Sequence, residues 1–460
     1  LPFFKPIKLH CFEVTMSKRI VVFGAGLSAT YLIRYLEDNA SEFDWHLIVA
    51  DRDLSSVKKK CLETTTCVQI DINDAKAVST LISGATLVIS MLPAFLHIKI
   101  AKECLTQKIH LATASYLSEE LKQLSAQVHD SDLIFLNECG LDPGIDHLSA
   151  MKLLDDIRAK EGNITEFESF TGGLIAPDCE DNPWKYKFTW NPRNVVLAGS
   201  GGAVKFIHNG KYKFIPYHRV FRRTEVVEIE GYGKFEGYAN RDSLRYRETY
   251  GLQDVATMYR GTFRRLGFSK AWNCFVQLGA ADDSYILPHS SQMSHREFIN
   301  TFLPYHPSDS IELKLKSYLG IEQDDIYLWE KLESTGIFSY DAVGMVEDAS
   351  PAKILQHILE KVWSLKEQDR DLIVMWHKIK YQINSTEKTV ESSLVCEGES
   401  RELTAMAKTV GLPLAIACKL ILENRITQRG CILPIYPEFY LPILDELEGF
   451  GVKFKETEAG

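Results

Sequence analysis

Arg19-Ile20-Val21-Val22-Phe23-Gly24-Ala25-Gly26-Leu27-Ser28-Ala29 is the stretch that decides the fold. Its first half is a β-branched and aromatic run of the kind that forms a buried parallel strand. Gly24-x-Gly26-x-x-Ala29 follows at once, and Tyr31, Leu32, Ile33, Tyr35 and Leu36 continue at helical spacing. A strand, a glycine turn and a helix in that order suit a dinucleotide. Gly24 makes the tight turn, Gly26 lets the backbone approach a pyrophosphate, and Ala29 lets the helix pack closely on the strand, with Leu27 and Ser28 in the same loop.

Working outward, residues 45–50 read as a second strand that ends at Asp51. A carboxylate there accepts hydrogen bonds from the adenine ribose hydroxyls and repels a 2′-phosphate, which favours NAD. Arg52 beside it suits that phosphate and leaves NADP open. Strand-like runs recur near residues 67–70, 86–90, 109–113 and 133–136, separated by helical stretches, so a doubly wound parallel sheet is predicted. Ligands of such sheets sit beyond the carboxyl ends of the strands. That rule selects Asp71, Ile72 and Leu92 for the cofactor, Ser115 and Tyr116 as hydroxyls at the cleft edge, and the segment from Glu138 to Asp142.

Asn137-Glu138-Cys139-Gly140-Leu141-Asp142-Pro143-Gly144-Ile145-Asp146-His147 then joins the last of these strands to a new helix. Asp-Pro-Gly is strong turn chemistry, because proline fixes its own φ and glycine accepts conformations closed to other residues. Asp142 therefore stands on a rigid corner facing the cleft between two halves, or caps the helix that follows.

Beyond residue 163 the period changes. Short strand-like runs near 167–170, 186–190, 195–197, 204–207, 212–217 and 224–229, with Asn209-Gly210 as a hairpin turn, predict a mostly antiparallel sheet. The following stretch is rich in arginine: Arg219, Arg222, Arg223, Arg241, Arg245, Arg247, Arg260, Arg264 and Arg265. Most are expected to pair with Glu225, Glu228, Glu230, Glu236 and Glu248 on a solvated face, and the remainder to clamp an anionic substrate. Helical spacing from 270 to 365 predicts an insertion, and residues 372–383 and 390–396 a returning hairpin. Leu403, Met406, Ala407 and Val410 make a helical stripe that Gly411 should stop, with Pro413 opening the next helix.

At 460 residues the chain is long enough for two or three domains. A net charge of -10 argues against nucleic acid or an anionic membrane as a partner. Ten cysteines without Cys-x-x-Cys or a zinc-like Cys/His spacing point away from a metal site and toward a reducing cytoplasm. No apolar run long enough to span a membrane is evident, and residues 1–16, preceding or ending at Met16, read as an extension.

Taken together, the chain resembles the glutamate-forming saccharopine dehydrogenases, or saccharopine reductases. The motifs are Gly24-Ala25-Gly26, Thr113-Ala114-Ser115-Tyr116, the Asn137 to His147 stretch, Gly172-Gly173-Leu174, Asp181-Asn182-Pro183, Tyr186-Lys187-Phe188, Asn240-Arg241-Asp242-Ser243 and Arg260-Gly261-Thr262. Trp190-Asn191-Pro192-Arg193 looks more like bacterial members than fungal ones. The resemblance implies a Rossmann-type dinucleotide-binding domain (17–142), an α/β substrate and dimerisation domain (143–268 and 372–400), an all-α insertion (269–371) and a C-terminal segment (401–460) returning to the first domain. It also implies a homodimer, substrate contacts from Ser115, Tyr116, Asp142, Arg241, Thr262 and Arg264, and Asn191 near the cofactor. Many members carry Cys where this chain has Thr171, so no role is carried over for that thiol. Saccharopine has three carboxylates and two amino groups. Arg241 and Arg264 suit the carboxylates, Asp142 and Glu138 the amines, and Asp142 and Tyr116 are the polar groups expected nearest the reacting nitrogen. Two alternatives stay open: a carboxynorspermidine dehydrogenase-like imine reductase, and a non-catalytic NAD(P)-binding regulator.

Overall fold

The computed structural model describes residues 17–198, 202–240 and 242–459. Six strands, β1 (Lys18–Phe23), β2 (Trp45–Asp51), β3 (Thr66–Gln69), β4 (Leu87–Ser90), β5 (His110–Ala112) and β6 (Ile134–Leu136), form a sheet in the order β3-β2-β1-β4-β5-β6. Every pair is parallel. The order of strand addition reverses at β1, so a crevice opens beyond its carboxyl end, where the glycine turn lies.

The second sheet is built from β7 (Asn163–Ile175), β8 (Val204–His208), β9 (Lys211–Ile215), β10 (Thr224–Ile229), β11 (Gly233–Ala239), β12 (Thr257–Arg265), β13 (Asp371–Ile383) and β14 (Thr386–Glu397). All of its pairs are antiparallel except β12 with β7. The chain then returns to the first sheet, adding β15 (Gly430–Ile432) in parallel beside β6. The last strand, β16 (Phe454–Ala459), departs from the expected return and pairs with β14 in the second sheet.

Alternation along β12 sorts the second sheet into two faces. Tyr259 and Phe263 belong to an apolar core shared with Phe170, Leu174 and the helices of the insertion, among them Phe268–Leu278 and Pro351–Trp363. Met258 belongs to another core, shared with Phe167, Ile373 and Met375, which runs without a break into Ile145, Leu148, Leu32 and Val22. Arg260, Thr262 and Arg264 alternate onto the face of Met258; Arg260 turns to Asp142 beside the first sheet, while the Arg264 guanidinium packs over Tyr186 and Phe268 of the insertion-side core. The helix Ile145–Ala159 lies between the sheets and buries Ile145, Leu148, Met151 and Leu154.

Three local expectations give way to the structure. Around residues 186–190 only an isolated bridge, Phe188 to Ser364, replaces a strand. Residues near 195 fall in a short helix, Pro192–Val196, because Asn191 accepts from the Arg193 N–H and Pro192 is preset for a first helical turn. Gly411 and Pro413 do not break the chain into two helices: Ala405–Leu422 runs through both. Leu412, Leu414, Ala415 and Ile416 are buried there, and that burial outweighs the hydrogen bond proline forfeits. Gly411 serves a close approach instead, since a Cβ would stand 2.7 Å from the Leu32 nitrogen. This helix is long and apolar enough to cross a membrane by composition alone, yet most of it is buried inside the fold.

Gly261 carries a sharper constraint, for a Cβ there would meet the Phe170 ring at 2.2 Å. Phe170 is fully buried, stacks on Phe263 and meets Tyr259 edge-on, so the ring has nowhere to go. Gly261→Ala should destabilise the fold by roughly 1–3 kcal/mol in urea titration, and Phe170→Leu in the same chain should recover part of that loss. Additive losses in the double variant would refute the steric account.

Candidate active site

The glycine turn is shaped from both sides. Gly24 sits at φ +97° with its missing Cβ pressed against the Met91 carbonyl, 2.8 Å away. In front of Gly26 no heavy atom of the described residues lies within 4 Å of a Cβ position, and Gly26 and Leu27 are exposed while Ala29 is buried. Asp51 is anchored: Oδ2 accepts from the Ala25 N–H at 2.8 Å and Oδ1 from the Asp53 N–H at 2.9 Å. Arg52 is exposed, and the Lys60 ammonium donates to the Gly26 carbonyl. Asp71 accepts from the Asn73 N–H, while Ile72 and Leu92 pack on the outer core of the first sheet. Open backbone at a helix start, with an anchored carboxylate at the next strand end, fits a dinucleotide.

Across the crevice, the turn after β6 carries a buried charge network. Gly144 is obligatory at its position, because at φ +147° a Cβ would fall 2.0 Å from the Gly140 oxygen. The Gly144 N–H goes to Asp146 Oδ1 at 2.6 Å, so the helix start is served by Asp146 and not by Asp142. Asp142 turns toward β12 instead. The Arg260 guanidinium donates to Asp142 Oδ1 at 3.0 Å and to Asp146 Oδ2 at 2.6 Å. Tyr116 Oη lies 3.4 Å from Asp142 Oδ1. Burial and the neighbouring Asp146 raise the pKa of Asp142 against the pull of Arg260. Burial alone would raise Asp146 too, but His147, Arg260 and the Gly144 N–H outweigh it and lower its pKa. Of two carboxylates sharing one cation, Asp142 is thus the one that holds a proton more readily.

Behind this pair, Glu138 is fully buried at a φ of +58°, rare for a residue with a side chain. Its Oε1 accepts from the Leu117 N–H and from Arg245, and its Oε2 from Tyr246 at 2.6 Å, with His147 Nε2 at 3.0 Å. Both oxygens are engaged, so Glu138 positions the turn and is not free for a substrate amine, a correction to the expected role. Arg245 also lies 5.3 Å over the Tyr116 ring. The solvated Arg–Glu face expected from the sequence is not how Arg245, Arg260 and Arg265 pair: they reach Glu138, Asp142 with Asp146, and Glu180. The sequence assigns no role to Tyr246, nor to Asp146 and His147 within the Asn137 to His147 stretch, although these two follow closely on the Asp-Pro-Gly turn.

Along β12 the floor continues from Arg260 through half-buried Thr262 to buried Arg264. Arg264 Nη1 donates to the Phe263 carbonyl, and the guanidinium lies 5.0 Å over Tyr186 and 5.2 Å over Phe268. Its Nε, Thr171 Oγ1, Thr189 Oγ1 and the Tyr186 hydroxyl are buried without a hydrogen-bond partner among the described residues. Thr171 pairs in register with Thr262, so both stand on the same face of the sheet. Ser115 is half-buried, its hydroxyl 2.8 Å from His97 Nε2. Asn191 is exposed at the start of its short helix, and Arg241 lies outside the described residues.

Two family models match the chain: the saccharopine dehydrogenase NADP binding domain over residues 20–136 and the saccharopine dehydrogenase C-terminal domain over residues 140–452. The saccharopine dehydrogenase [NADP(+), L-glutamate-forming] of Pyricularia oryzae is 29% identical over 462 residues, covering 96% of this chain and 99% of that protein. The mitochondrial alpha-aminoadipic semialdehyde synthase of Rattus norvegicus is 32% identical over 457 residues, covering 97% of this chain but 48% of the relative. The chain therefore spans about half the length of the synthases it matches. Among solved structures, an apo saccharopine dehydrogenase (L-Glu forming) from Saccharomyces cerevisiae superposes with a TM-score of 0.87 at 28% identity, covering 96% of this chain and 100% of that one. Matched along both of its parts, the chain belongs to the saccharopine dehydrogenase family.

Proposed function

We propose that this chain is a saccharopine dehydrogenase (L-glutamate-forming). The reaction is reversible hydride transfer between NAD(P)H and the imine of L-glutamate with L-2-aminoadipate 6-semialdehyde, giving saccharopine in lysine metabolism. The observation that carries the reading is likeness over the whole length to the yeast enzyme of that name. The polar floor running from Asp142 to Arg264 supports it. At the rise of a β-strand, Arg260, which holds Asp142, stands roughly 13 Å from Arg264, a span that leaves room for an extended substrate with its amine toward Asp142 and a carboxylate toward Arg264.

In this reading a nicotinamide bound beyond the glycine turn supplies the hydride, and the protein's residues position the substrate and move the proton. Arg264 and Thr262 hold a substrate carboxylate, with Thr171 Oγ1 as a further donor. Arg260 is already shared by Asp142 and Asp146, so its charge orients Asp142 and does not clamp substrate. Asp142 and Tyr116 lie nearest the reacting nitrogen, and Asp142 takes or gives the amine proton. NAD is the preferred cofactor, because Asp51 is held by two backbone N–H groups and cannot swing aside for a 2′-phosphate. A homodimer in a reducing compartment such as the cytoplasm completes the proposal. The described cysteines are all free thiols, which fits such a compartment.

Purified protein should oxidise saccharopine with NAD or NADP as acceptor, followed at the nicotinamide absorbance. Activity on carboxynorspermidine alone, or on neither compound, would overturn the assignment. Asp51→Ala should shift the ratio of kcat/KM values toward NADP, and an unchanged ratio would remove Asp51 from the ribose. Oxidation of saccharopine needs Asp142 ionised to accept the amine proton, so its raised pKa moves the acid limb of the pH–rate profile upward. Asp146→Asn removes the neighbouring negative charge that contributes to this shift, and should bring that limb down to lower pH. Asp142→Asn should abolish the limb with a loss in rate of about 100-fold or more. A limb that ignores Asp146→Asn would assign the titration elsewhere.

A further inference from the structure

His97 belongs to none of the roles above, yet it joins the carboxyl ends of two adjacent strands at the crevice. It opens the helix His97–Gln107 and is almost fully buried. Its Nδ1 lies 2.8 Å from the hydroxyl of Ser90, the last residue of β4. Its Nε2 lies 2.8 Å from the hydroxyl of Ser115, just past β5. Ser90 is buried, whereas Ser115 is half-buried at the cleft edge. The backbone of Ser115 is fixed as well, its N–H donating to Thr113 Oγ1 and its carbonyl accepting from the N–H of Glu138.

A buried histidine with both nitrogens partnered is most simply a satisfied piece of core. Its placement says more. One partner is a dead end inside the sheet, and the other is a hydroxyl in the crevice, two residues from Leu117, whose N–H is held by Glu138. Burial holds the ring's pKa down at about 4, so the ring stays neutral, with one donor and one acceptor nitrogen. When the Ser90 hydroxyl donates to Nδ1, Nε2–H must donate to Ser115. The Ser115 proton is then left to point into the cleft, where it can donate to a carboxylate.

We propose that His97 is the positioning residue for Ser115, a bridge anchored on Ser90 that presents the Ser115 hydroxyl as a donor to a carboxylate of the substrate. The inference rests on the saccharopine dehydrogenase reading and adds to it a residue and a polarity. No bond is made or broken at His97; the ring acts only through Ser115.

The test is a double-mutant cycle on the full chain, with saccharopine as the varied substrate. His97→Leu should raise the KM for saccharopine about tenfold while leaving kcat and the cofactor KM within about twofold. In a Ser115→Ala background the same substitution should add nothing further. A glutamine amide reaches the position of Nε2 and an asparagine amide only that of Nδ1, so His97→Gln should restore most of the affinity and His97→Asn should not. Where the leucine variant does not fold, the glutamine and asparagine variants carry the comparison, each checked by its melting temperature. An effect of His97→Leu that persists in full without the Ser115 hydroxyl, or equal behaviour of glutamine and asparagine, would reduce His97 to a structural residue. Wild-type protein that turns over no saccharopine overturns the functional reading and this inference together, whereas turnover without coupling overturns the inference alone.

Discussion

One guanidinium shared by two carboxylates holds the meeting point of the two sheets. Arg260 comes from the second sheet, and Asp142 and Asp146 from the turn that leaves the first. Three ionisable groups taken out of water are costly unless each is paired and hydrogen-bonded. Asp146 is satisfied from both sides, by Arg260 and by the Gly144 N–H. Asp142 is left as the less committed carboxylate, tied to Arg260 and near Tyr116 but open to the cleft. The same ion pairs that fix the two sheets against each other therefore also set the chemistry available at the crevice.

The first sheet was legible because its rules are local. A β-branched strand, two glycines at fixed spacing and an acidic residue at the next strand end each state their function in a few consecutive residues. The observed strand order around β1 follows from that pattern repeated. The turn at Asp142 was legible for the same reason. Helical spacing was enough to suggest the insertion and a returning hairpin, while family resemblance, carried by motifs scattered along the chain, supplied the expected return of the last segment to the first sheet, which β15 follows and β16 does not.

Less was legible where partners are remote in sequence. Arg260 meets Asp142 across 118 positions, and Arg245 meets Glu138 across 107. A sequence offers nearer glutamates and no means of choosing against them. Glu138 looked like a substrate ligand because it sits at a strand end, but four neighbours already occupy its oxygens. The Ala405–Leu422 helix shows the other failure, a local breaker overruled by burial on nearly every side. His97 left no signal beyond a histidine after Pro93, since its meaning depends on two serines brought together by adjacent strands.

The chain's return has a consequence for synthesis. The edge beside β6 waits for β15, and the face of the helix Thr30–Ala40 that receives Gly411 waits for the helix Ala405–Leu422. Both elements emerge from the ribosome long after the strands they complete. The nucleotide-binding sheet is therefore completed only after strands β7 to β14 of the second sheet have been made, with apolar surface around Leu32 uncovered in the interval. The second sheet, closed by β16, is finished at almost the same moment. Completion of the two sheets is thus interleaved, the first waiting for β15 and the second for β16.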